Sequence, residues 1–424
     1  MRRSEWIEIM FVDLSGRLRS FYIPKDMKDE LYNDGIEIDG YSINGYAHID
    51  ESDVIVKGLK EYYGPNTLDN MIVFSRILKD KSKHHPCDPI YVLERILEKY
   101  RHLGLEVRVG VEPEFYIVRS IEGHDLKPID NASYMCASES RLVYKIRMKV
   151  AETLQDMGIS IEKHHHEVGP GQCEINFRHS DPIETAMNFL ILKIITKRIA
   201  INMGAMATFM PKPFSEYPGN GLHVHISLWK SDENAFYNSE NVLSDLGLYF
   251  MGGVLEYAKP LTVFLAQTIN SYRRLRPEFE APVVISWGLS NRSTMIRIPE
   301  IASPEKRRIE IRTPDTAVNP FIAFAAILCA GLEGINKKID PWEYKTDENI
   351  YAHKFSKDRL LPSSLEESLE FLEDHRDVFS YMGEFIDKFI EIKMEEIESF
   401  KRAHGEFNRD SSVSKWELLH YFNI

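Results

Sequence analysis

The sequence predicts an α+β fold, in which a small β-rich domain precedes a larger domain of mainly antiparallel sheet covered by helices. Residues 6–24 alternate between apolar and polar side chains around a turn, which is typical of a hairpin. Residues 79–89 are charged and broken by two prolines, and beyond them helical patterns are interspersed with strand patterns. We therefore expect one domain over residues 1–84 and a second over residues 85–424.

The elements can be predicted in chain order. WIEIMFVDLSGRLRSFYIP turns at Ser15-Gly16 and predicts the opening hairpin. Capping and periodicity predict helices from Asp88-Pro89 to Gly104, over residues 138–157, and from Asp181-Pro182 toward Gly204. Alternation predicts strands over LEVRVGVEPEFYIV, the two arms of a hairpin in the 160s, LHVHISLW and RRIEIRTP, with helices again after Pro362.

Composition limits the class of protein. The 424-residue chain has 65 acidic and 52 basic residues, and its formal charge of -13 argues against a general nucleic-acid binder. Its four cysteines form no CxxC pair, so neither a zinc site nor a disulfide framework is predicted. MRRSEWIEIMFVD lacks a signal-peptide core, and the longest apolar run, Phe321 to Leu332, is too short to span a bilayer. We expect a cytoplasmic protein without a membrane partner.

Two glutamates lie two residues apart in the strand pattern VRVGVEPEFYIV. The apolar side chains from Val107 to Ile117 share one face, which places Glu112 and Glu114 on the other. Their backbones are about 7 Å apart by strand rise. A lone pair of this kind is usually a solvated strand face, so its meaning depends on the acidic residues elsewhere.

A second pair of glutamates flanks the turn in HHHEVGPGQCEINF, residues 164–177. With Pro170-Gly171 at the centre of a tight turn, the hairpin register sets Glu167 directly opposite Glu174. Like charges opposed across a ladder repel each other. The pair therefore predicts a cation between the two carboxylates.

Two further strands add ligands. LHVHISLW aligns His223 with His225, and RRIEIR aligns Glu310 with Arg308 and Arg312. A lone HxH is more often structural, but five carboxylates with one or two histidines on rigid strands suffice for two cations. Oxygen-rich ligation favours Mg²⁺ or Mn²⁺ over zinc.

Arginines in strand or loop segments complete the pattern. They are Arg274, Arg292, Arg297, Arg308 and Arg312. Guanidinium matches phosphate and carboxylate with paired hydrogen bonds, so phosphoryl transfer from ATP is the predicted chemistry. The sequence contains neither a GxxxxGK[ST] loop nor a GxGxxG that opens a helix. The residues alone predict a metal-dependent, ATP-using transferase or ligase.

An ordered set of motifs resembles the glutamine synthetase family. The motifs are GVEPEF, HHHEVGPGQCEI, TFMPKP, GNGLHVHISL, NSYRRL, EAPV, NRSTMIRIP and RRIEIRTPD. The resemblance extends from FVDLSG and IDGYSINGY to WELLHYF, which is nearly the whole chain. It implies an N-terminal β-grasp domain, a large glutamine-synthetase-type catalytic domain, and a homo-oligomeric dodecamer of two hexameric rings with active sites between neighbouring subunits.

The resemblance also implies residue roles by motif position. For one metal ion it implies Glu114, Glu167 and Glu174, and for a second Glu112, His223 and Glu310. For the glutamate substrate it implies Gly219, Arg274 and Arg312. For ATP it implies His225, Arg292, Arg297 and Arg308. For the ammonium site it implies Tyr134 together with Asp39 and Ser42 from a neighbouring subunit.

The family's activity implies ATP-dependent ligation of ammonia to the γ-carboxylate of glutamate through γ-glutamyl phosphate. Metal ions and arginines, Arg292 among them, would offset charge as the phosphoryl group moves. Glu280 is expected to close over the site, exclude water and accept a proton from the tetrahedral adduct. Asp39 is expected to help convert ammonium to the nucleophilic amine.

Several positions depart from the family's usual motifs. Tyr41 stands in DGYS where serine is usual, and Pro218 precedes the pocket glycine where asparagine is usual. Glu305 replaces a common lysine, and His179 stands where an aromatic residue often meets adenine. Tyr351 keeps the tyrosine of the adenylylation motif without its surrounding residues, so we do not expect regulation by that route.

Two alternative functions stay open. One is a γ-glutamyl ligase that joins glutamate to an organic amine or polyamine, which Tyr41 and Pro218 favour and Asp39 opposes. The other is a catalytically silent structural or regulatory homologue. The retained carboxylates argue against a silent protein, because clustered carboxylates repel one another and have no structural reason to persist.

Overall fold

A computed structural model describes residues 5–43, 45–64, 71–119, 126–240, 242–277, 280–300 and 303–424. Its strands are β1 (Trp6–Val12), β2 (Leu18–Pro24), β3 (Ile36–Asp39), β4 (Asp53–Tyr63), β5 (Met71–Asp80), β6 (Lys83–His84), β7 (Glu106–Arg119), β8 (Lys127–Pro128), β9 (Ile161–His166), β10 (Gln172–Phe177), β11 (Met206–Thr208), β12 (Leu222–Lys230), β13 (Glu233–Asn234), β14 (Trp287–Leu289), β15 (Ile296–Ile298) and β16 (Ile309–Ile311). Its α-helices are α1 (Lys28–Asn33), α2 (Pro89–His102), α3 (Arg141–Asp156), α4 (Pro182–Asn202), α5 (Asp245–Glu256), α6 (Ala258–Leu265), α7 (Ser271–Arg274), α8 (Pro320–Lys337), α9 (Leu365–Asp374), α10 (Phe385–His404) and α11 (Lys415–Tyr421).

The first sheet is built from the strands β1 to β6. Its order is β2-β1-β5-β4-β3, with β6 beside β5. β1 and β5 run parallel, whereas the other paired strands are antiparallel. The predicted hairpin forms between β1 and β2, and Gly16 in its turn has φ +84°, a conformation that favours glycine.

The second sheet carries the predicted site residues. Its order is β14-β15-β16-β12-β7-β10-β9, and only β14 and β15 run parallel within this row. β7 has 14 residues and pairs with β12 and β11 along one edge and with β10 along the other, since Tyr116 of β7 lies opposite both Thr208 of β11 and Gln172 of β10. Because β7 is central, its polar face receives side chains from strands on both sides.

The helices begin at the predicted caps. Asp88 accepts a hydrogen bond from the backbone N–H of Tyr91 at the start of α2, and Asp181 caps α4 in the same way. Both helices end just before a glycine with positive φ, Gly104 or Gly204. Local capping chemistry therefore places these helix ends without help from the tertiary structure.

Among the described residues, α8 is the one helix that is long and apolar enough to cross a membrane by length and composition. Its 18 residues have a mean hydropathy of 1.3, and 78% of them are buried inside the fold. The helix is longer than the apolar run from Phe321 to Leu332, whose length alone predicted that it could not span a bilayer. Burial against α2 and α5, rather than short length, identifies it as a core helix.

The helices α5 and α8 meet through their backbones at Gly253. A Cβ added to Gly253 would lie 2.1 Å from the carbonyl oxygen of Ala330. We expect Gly253→Ala to lower the melting temperature, because overpacking against atoms that cannot rotate away costs about 1–3 kcal/mol. Gly247→Ala on the same helix is the matched control, since its methyl group would meet only side chains, at 3.2 Å. Equal melting temperatures for the two variants would contradict a backbone contact at Gly253.

The turn after β9 forms as predicted. The carbonyl oxygen of Gly169 accepts a hydrogen bond from the backbone N–H of Gln172, and Gly171 has φ +72°. Pro170 and Gly171 are thus the two central residues, in the positions that Pro and Gly favour.

The predicted register of this hairpin is wrong. The backbone N–H of Glu167 donates to the carbonyl oxygen of Gln172, and Glu174 lies opposite His165 instead of Glu167. The side chain of Gln172 accepts a hydrogen bond from the backbone N–H of Gly169, which stabilises a wider loop. Because the register differs by two residues, Glu167 and Glu174 still point to the same face of the sheet.

Candidate active site

Two adjoining pockets contain most of the predicted site residues. The larger pocket has a volume of about 860 Å³, and the smaller one about 360 Å³. Of the predicted site residues, those that line the larger pocket are Glu112, Glu114, Tyr134, Glu167, Glu174, Gly219, His223, Arg274, Glu280, Arg292, Arg297 and Arg312. The smaller pocket is lined by Glu112, His225 and Arg308 of the predicted set. Glu112 and Lys163 line both pockets and form their shared wall.

Strand register brings the acidic side chains together. Glu112 on β7 lies opposite His223 on β12, and Glu114 on β7 lies opposite Glu174 on β10. Glu310 projects from β16, the neighbour of β12 on its other side. The like-charged pair across a ladder is therefore Glu114 and Glu174, not the pair that the hairpin predicted.

The first acidic cluster, here the Glu310 cluster, consists of Glu112, His223 and Glu310. Their ligand atoms lie within 4.8 Å of one another, and His223 Nδ1 is 3.3 Å from Glu112 Oε2. Burial raises the pKa of Glu310, but His225, His223 and Arg312 outweigh it and lower that pKa to about 2. Burial also raises the pKa of Glu112, but His225 and His223 outweigh it and lower that pKa. Both carboxylates are ionised at neutral pH.

The second acidic cluster, here the Glu167 cluster, consists of His165, Glu167 and Glu174, with Glu114 beside it. His165 Nε2 lies 3.1 Å from Glu174 Oε1, and His165 Nδ1 lies 3.4 Å from Glu167 Oε1. Burial and the charge of Glu174 raise the pKa of Glu167 to about 7. Burial, Glu167 and Glu174 raise the pKa of Glu114 well above its usual value. A nearby cation would relieve this repulsion.

Both clusters fit a divalent ion by the chemistry of their donors. The Glu310 cluster offers two carboxylates and one imidazole, and the Glu167 cluster offers the same set with Glu114 in addition. Carboxylate oxygen with a single imidazole suits Mg²⁺ or Mn²⁺. The structure thus groups the predicted metal-binding residues on one wall and adds His165 to them.

Binding of a divalent ion is expected to weaken as the pH falls below about 7, because the ion must displace the proton held by Glu167. Above its raised pKa the carboxyl group of Glu167 is already ionised, so its own contribution to the pH dependence levels off. Below it, protons compete with the metal. Calorimetry with Mn²⁺ in buffers of different ionisation enthalpy measures both the affinity and the protons released. Glu167→Gln should remove the part of that release that comes from Glu167. An affinity that stays constant between mildly acidic and mildly alkaline pH would contradict the prediction.

Arginines surround Glu310 and line the larger pocket. Arg297 donates to Glu310 Oε2 at 2.6 Å, and Arg312 donates to Glu310 Oε1 at 2.8 Å. Arg274 is buried and donates to the carbonyl oxygens of Thr313 and Arg312 at 2.7 and 3.1 Å. Burial lowers the pKa of Arg274, although Asp315 and Glu114 oppose that effect. The larger pocket therefore has arginines close to its acidic wall. An anionic substrate could bind between these arginines.

The smaller pocket combines cations with rings. Arg308 Nε donates to His225 Nδ1 at 3.0 Å, and His225 Nε2 lies 3.2 Å from Glu112 Oε1. The pocket is also lined by Arg108, Phe177, His179, Trp229, Lys306 and Arg307. Basic side chains suit phosphate groups, and ring faces suit a nucleobase.

Three loop residues enter the larger pocket. A Cβ at Gly219 would lie 2.5 Å from the carbonyl oxygen of Pro211, so glycine is required there. The ring of Tyr134 meets that of His165 edge-on at 5.4 Å. Glu280 is exposed and has φ +59°, a conformation that a non-glycine residue rarely adopts and that clusters at functional sites.

Asp39 and Ser42 lie apart from this group. Asp39 is exposed at the end of β3, where its Oδ1 accepts from the backbone N–H of Tyr41 at 2.9 Å and its carboxylate accepts from the Ser42 hydroxyl. Neither residue is among the described residues that line the two pockets. The predicted ammonium role of this segment therefore requires a second copy of the chain.

Sequence reasoning missed several residues that the structure places at the site. His165 could have been found, because it stands two residues before Glu167 on the same strand face. No sequence pattern predicts Gln172 as a site residue. Its side-chain amide nevertheless donates to Glu114 Oε2 at 3.2 Å and to the carbonyl oxygen of Gly219 at 3.0 Å. The hydroxyl of Tyr351 donates to the carbonyl oxygen of Ala281, the residue after Glu280, at 3.3 Å.

Comparison with known proteins identifies the family that the sequence motifs resemble. The family descriptions "Glutamine synthetase, beta-Grasp domain" and "Glutamine synthetase, catalytic domain" match residues 3–72 and 86–412. Relatives named glutamine synthetase are 40% identical in Pyrococcus furiosus and 39% identical in Thermotoga maritima, each over 99% of this chain and 96% of the relative. The solved structures "Apo GmaS without ligand" and "GmaS/ADP complex-Conformation 1" have TM-scores of 0.86 and 0.87 at 27% identity, covering 98% of this chain and 96% of theirs.

The fold, the site and these matches define the class of protein as an ATP-dependent ligase that uses divalent metal. The expected combination of a β-grasp domain with a glutamine-synthetase-type catalytic domain is confirmed. The chain belongs to the glutamine synthetase family.

Proposed function

We propose that this protein ligates ammonia to the γ-carboxylate of glutamate at the expense of ATP, giving glutamine. The observation that carries the proposal is the pair of acidic clusters at the wall between the two pockets. One pocket has the lining of a nucleotide site, and the other has buried arginines suited to carboxylates. A phosphoryl group that passes from one substrate to the other must cross this wall.

The two pockets divide the substrates by their chemistry. ATP occupies the smaller pocket, where Arg308 and His225 lie beside aromatic rings. Glutamate occupies the larger pocket, with its carboxylates on Arg274 and Arg312 and its backbone against Gly219. Arg292 and Arg297 line the larger pocket as well, where Arg297 donates to Glu310, and both contact the phosphate groups that reach the wall.

The Glu310 cluster and the Glu167 cluster with Glu114 hold two divalent ions, Mg²⁺ or Mn²⁺, which offset charge on the phosphates when bound. Arg292, Arg297 and Arg312 orient the reacting groups and stabilise negative charge that develops during the transfer. The product is the mixed anhydride γ-glutamyl phosphate, which water would hydrolyse. Glu280, which is exposed, lines the larger pocket and has a rarely adopted positive φ, excludes water and accepts a proton from the adduct with ammonia.

A neighbouring subunit completes the ammonium site. Asp39 and Ser42 form an exposed, internally hydrogen-bonded segment, which is able to enter the larger pocket of another copy beside Tyr134. We propose the ring-shaped dodecamer of the family as the assembly and the cytoplasm as the compartment. We likewise propose the division into domains at residues 84 and 85, which is supported by the end of the first sheet at His84.

A γ-glutamyl ligase that uses an organic amine is the second candidate function. It is favoured by the structural similarity to GmaS, a gamma-glutamylmethylamide synthetase, and by Tyr41 in the ammonium segment. The higher identity to proteins named glutamine synthetase, 40% against 27%, supports ammonia as the acceptor.

One experiment separates these functions. Glutamate-dependent ADP release is measured with Mg²⁺ while ammonium, methylamine or a polyamine is supplied in turn, and the amide product is identified by mass. We expect ammonium to give the highest kcat/KM and glutamine as the product. A preference for an amine would establish the second candidate, and the absence of turnover with every acceptor would contradict both.

A further inference from the structure

Lys163 and Glu112 are the two described residues that line both pockets. Lys163 lies on β9 with His165, and Glu167 directly follows the strand, so that alternation points all three side chains to the same face. Its ammonium nitrogen is 3.7 Å from Glu174 Oε1. Lys163 therefore places a positive charge on the wall that carries the acidic clusters.

The contact with Glu174 leaves Lys163 free to move. The lysine side chain is 52% exposed, whereas that of Glu174 is only 5% exposed. An ion pair at this distance and exposure holds the lysine only weakly. A lysine with four flexible methylene groups can accordingly leave Glu174 for a more strongly charged neighbour, such as a phosphate group.

We propose that Lys163 contacts the transferred phosphoryl group as it passes between the pockets. This inference rests on the proposed function, with ATP in the smaller pocket and glutamate in the larger. In the step concerned, the bond between the γ-phosphorus and the β–γ bridging oxygen breaks, and ADP leaves with that oxygen. A bond forms between the γ-phosphorus and an oxygen of the glutamate γ-carboxylate. Lys163 transfers no proton; its charge offsets the negative charge of the migrating group.

A competing account is that Lys163 only balances the charge of Glu174. The two accounts predict the same effect on metal binding and differ in what they predict for the rate of phosphoryl transfer. Removing a cation next to the Glu167 cluster should leave Mn²⁺ affinity unchanged or increase it in either case. Only a contact with the phosphoryl group predicts slower transfer when the metal is saturating.

The test follows isotope exchange in ATP carrying oxygen-18 at the β–γ bridge, with Mg²⁺ and glutamate but no ammonium. Reversible transfer lets the label leave the bridge, so the exchange rate reports phosphoryl transfer alone. We expect Lys163→Gln to slow exchange about a hundredfold, in line with the loss of one stabilising group, and Lys163→Arg to restore it to within about tenfold. Lys145→Gln, at an exposed site on α3, is the matched control and should leave exchange unchanged.

Mn²⁺ binding, measured in the same variants, separates this role from damage to the metal site. Unchanged exchange in Lys163→Gln would overturn the inference. An equal loss in the Gln and Arg variants, together with weaker Mn²⁺ binding, would also overturn it. If the unmodified enzyme shows no glutamate-dependent exchange, the proposed function fails and this inference fails with it.

Discussion

Glu112→Gln is expected to lower kcat for amide formation at least about a thousandfold, which is a scale typical of losing a metal ligand at a phosphoryl-transfer site. Among the described carboxylates, Glu112 is the one that lines both pockets, and it lies 3.3 Å from His223 and 3.2 Å from His225. Glutamine keeps the size of the side chain but removes its charge. The Glu310 cluster would then hold a divalent ion with one carboxylate in place of two.

The measurement combines steady-state ADP release at saturating glutamate and ammonium with Mn²⁺ binding to the same variant. Glu106→Gln is the matched control, because Glu106 is exposed near the start of the same strand. We expect the control to retain activity and metal affinity. If Glu112→Gln kept more than a tenth of the activity, the Glu310 cluster would not be part of the catalytic site.

Asp39→Ala is expected to lower kcat/KM for ammonium by about a hundredfold or more, the range reported for loss of a general base. Ammonium must lose a proton before it can attack, and Asp39 is the carboxylate that the exposed segment offers for this step. Within a single chain, Asp39 does not line either pocket. Replacing Asp39 should therefore leave the ATP affinity within about twofold of the original.

The measurement compares kcat/KM for ammonium with nucleotide binding in the assembled protein. Glu37→Ala serves as the control, because Glu37 is exposed on the same face of β3 as Asp39. Equal losses in ammonium use and in ATP binding would show that Asp39 supports the fold or the assembly instead of the ammonium site.

Local chemistry allowed much of the fold to be predicted from sequence. The caps of α2 and α4 and the face of β7 that carries Glu112 and Glu114 depend on neighbouring residues and on strand periodicity alone. The order of strands in the second sheet cannot be predicted from neighbouring residues and periodicity. That order sets Glu114 opposite Glu174, and no periodicity within β7 or β10 reveals which strand pairs with which.

The errors have identifiable physical causes. The hairpin register was wrong because the side chain of Gln172 holds a wider loop than the Pro-Gly turn alone would give. His165 was overlooked because its contact with Glu174 depends on that register, although its place two residues before Glu167 was visible in the sequence. The position of Asp39 relative to an active site depends on a second copy of the chain, which lies beyond what one sequence or one subunit specifies.

Anomalous diffraction from crystals grown with Mn²⁺ and ADP tests the central claim most directly, since it locates the metal ions themselves. Two peaks are predicted in each subunit. One should be ligated by Glu112, His223 and Glu310, and the other should lie in the Glu167 cluster within reach of Glu114. Ions bound only outside these clusters, or no ordered ion beside the nucleotide, would contradict the account.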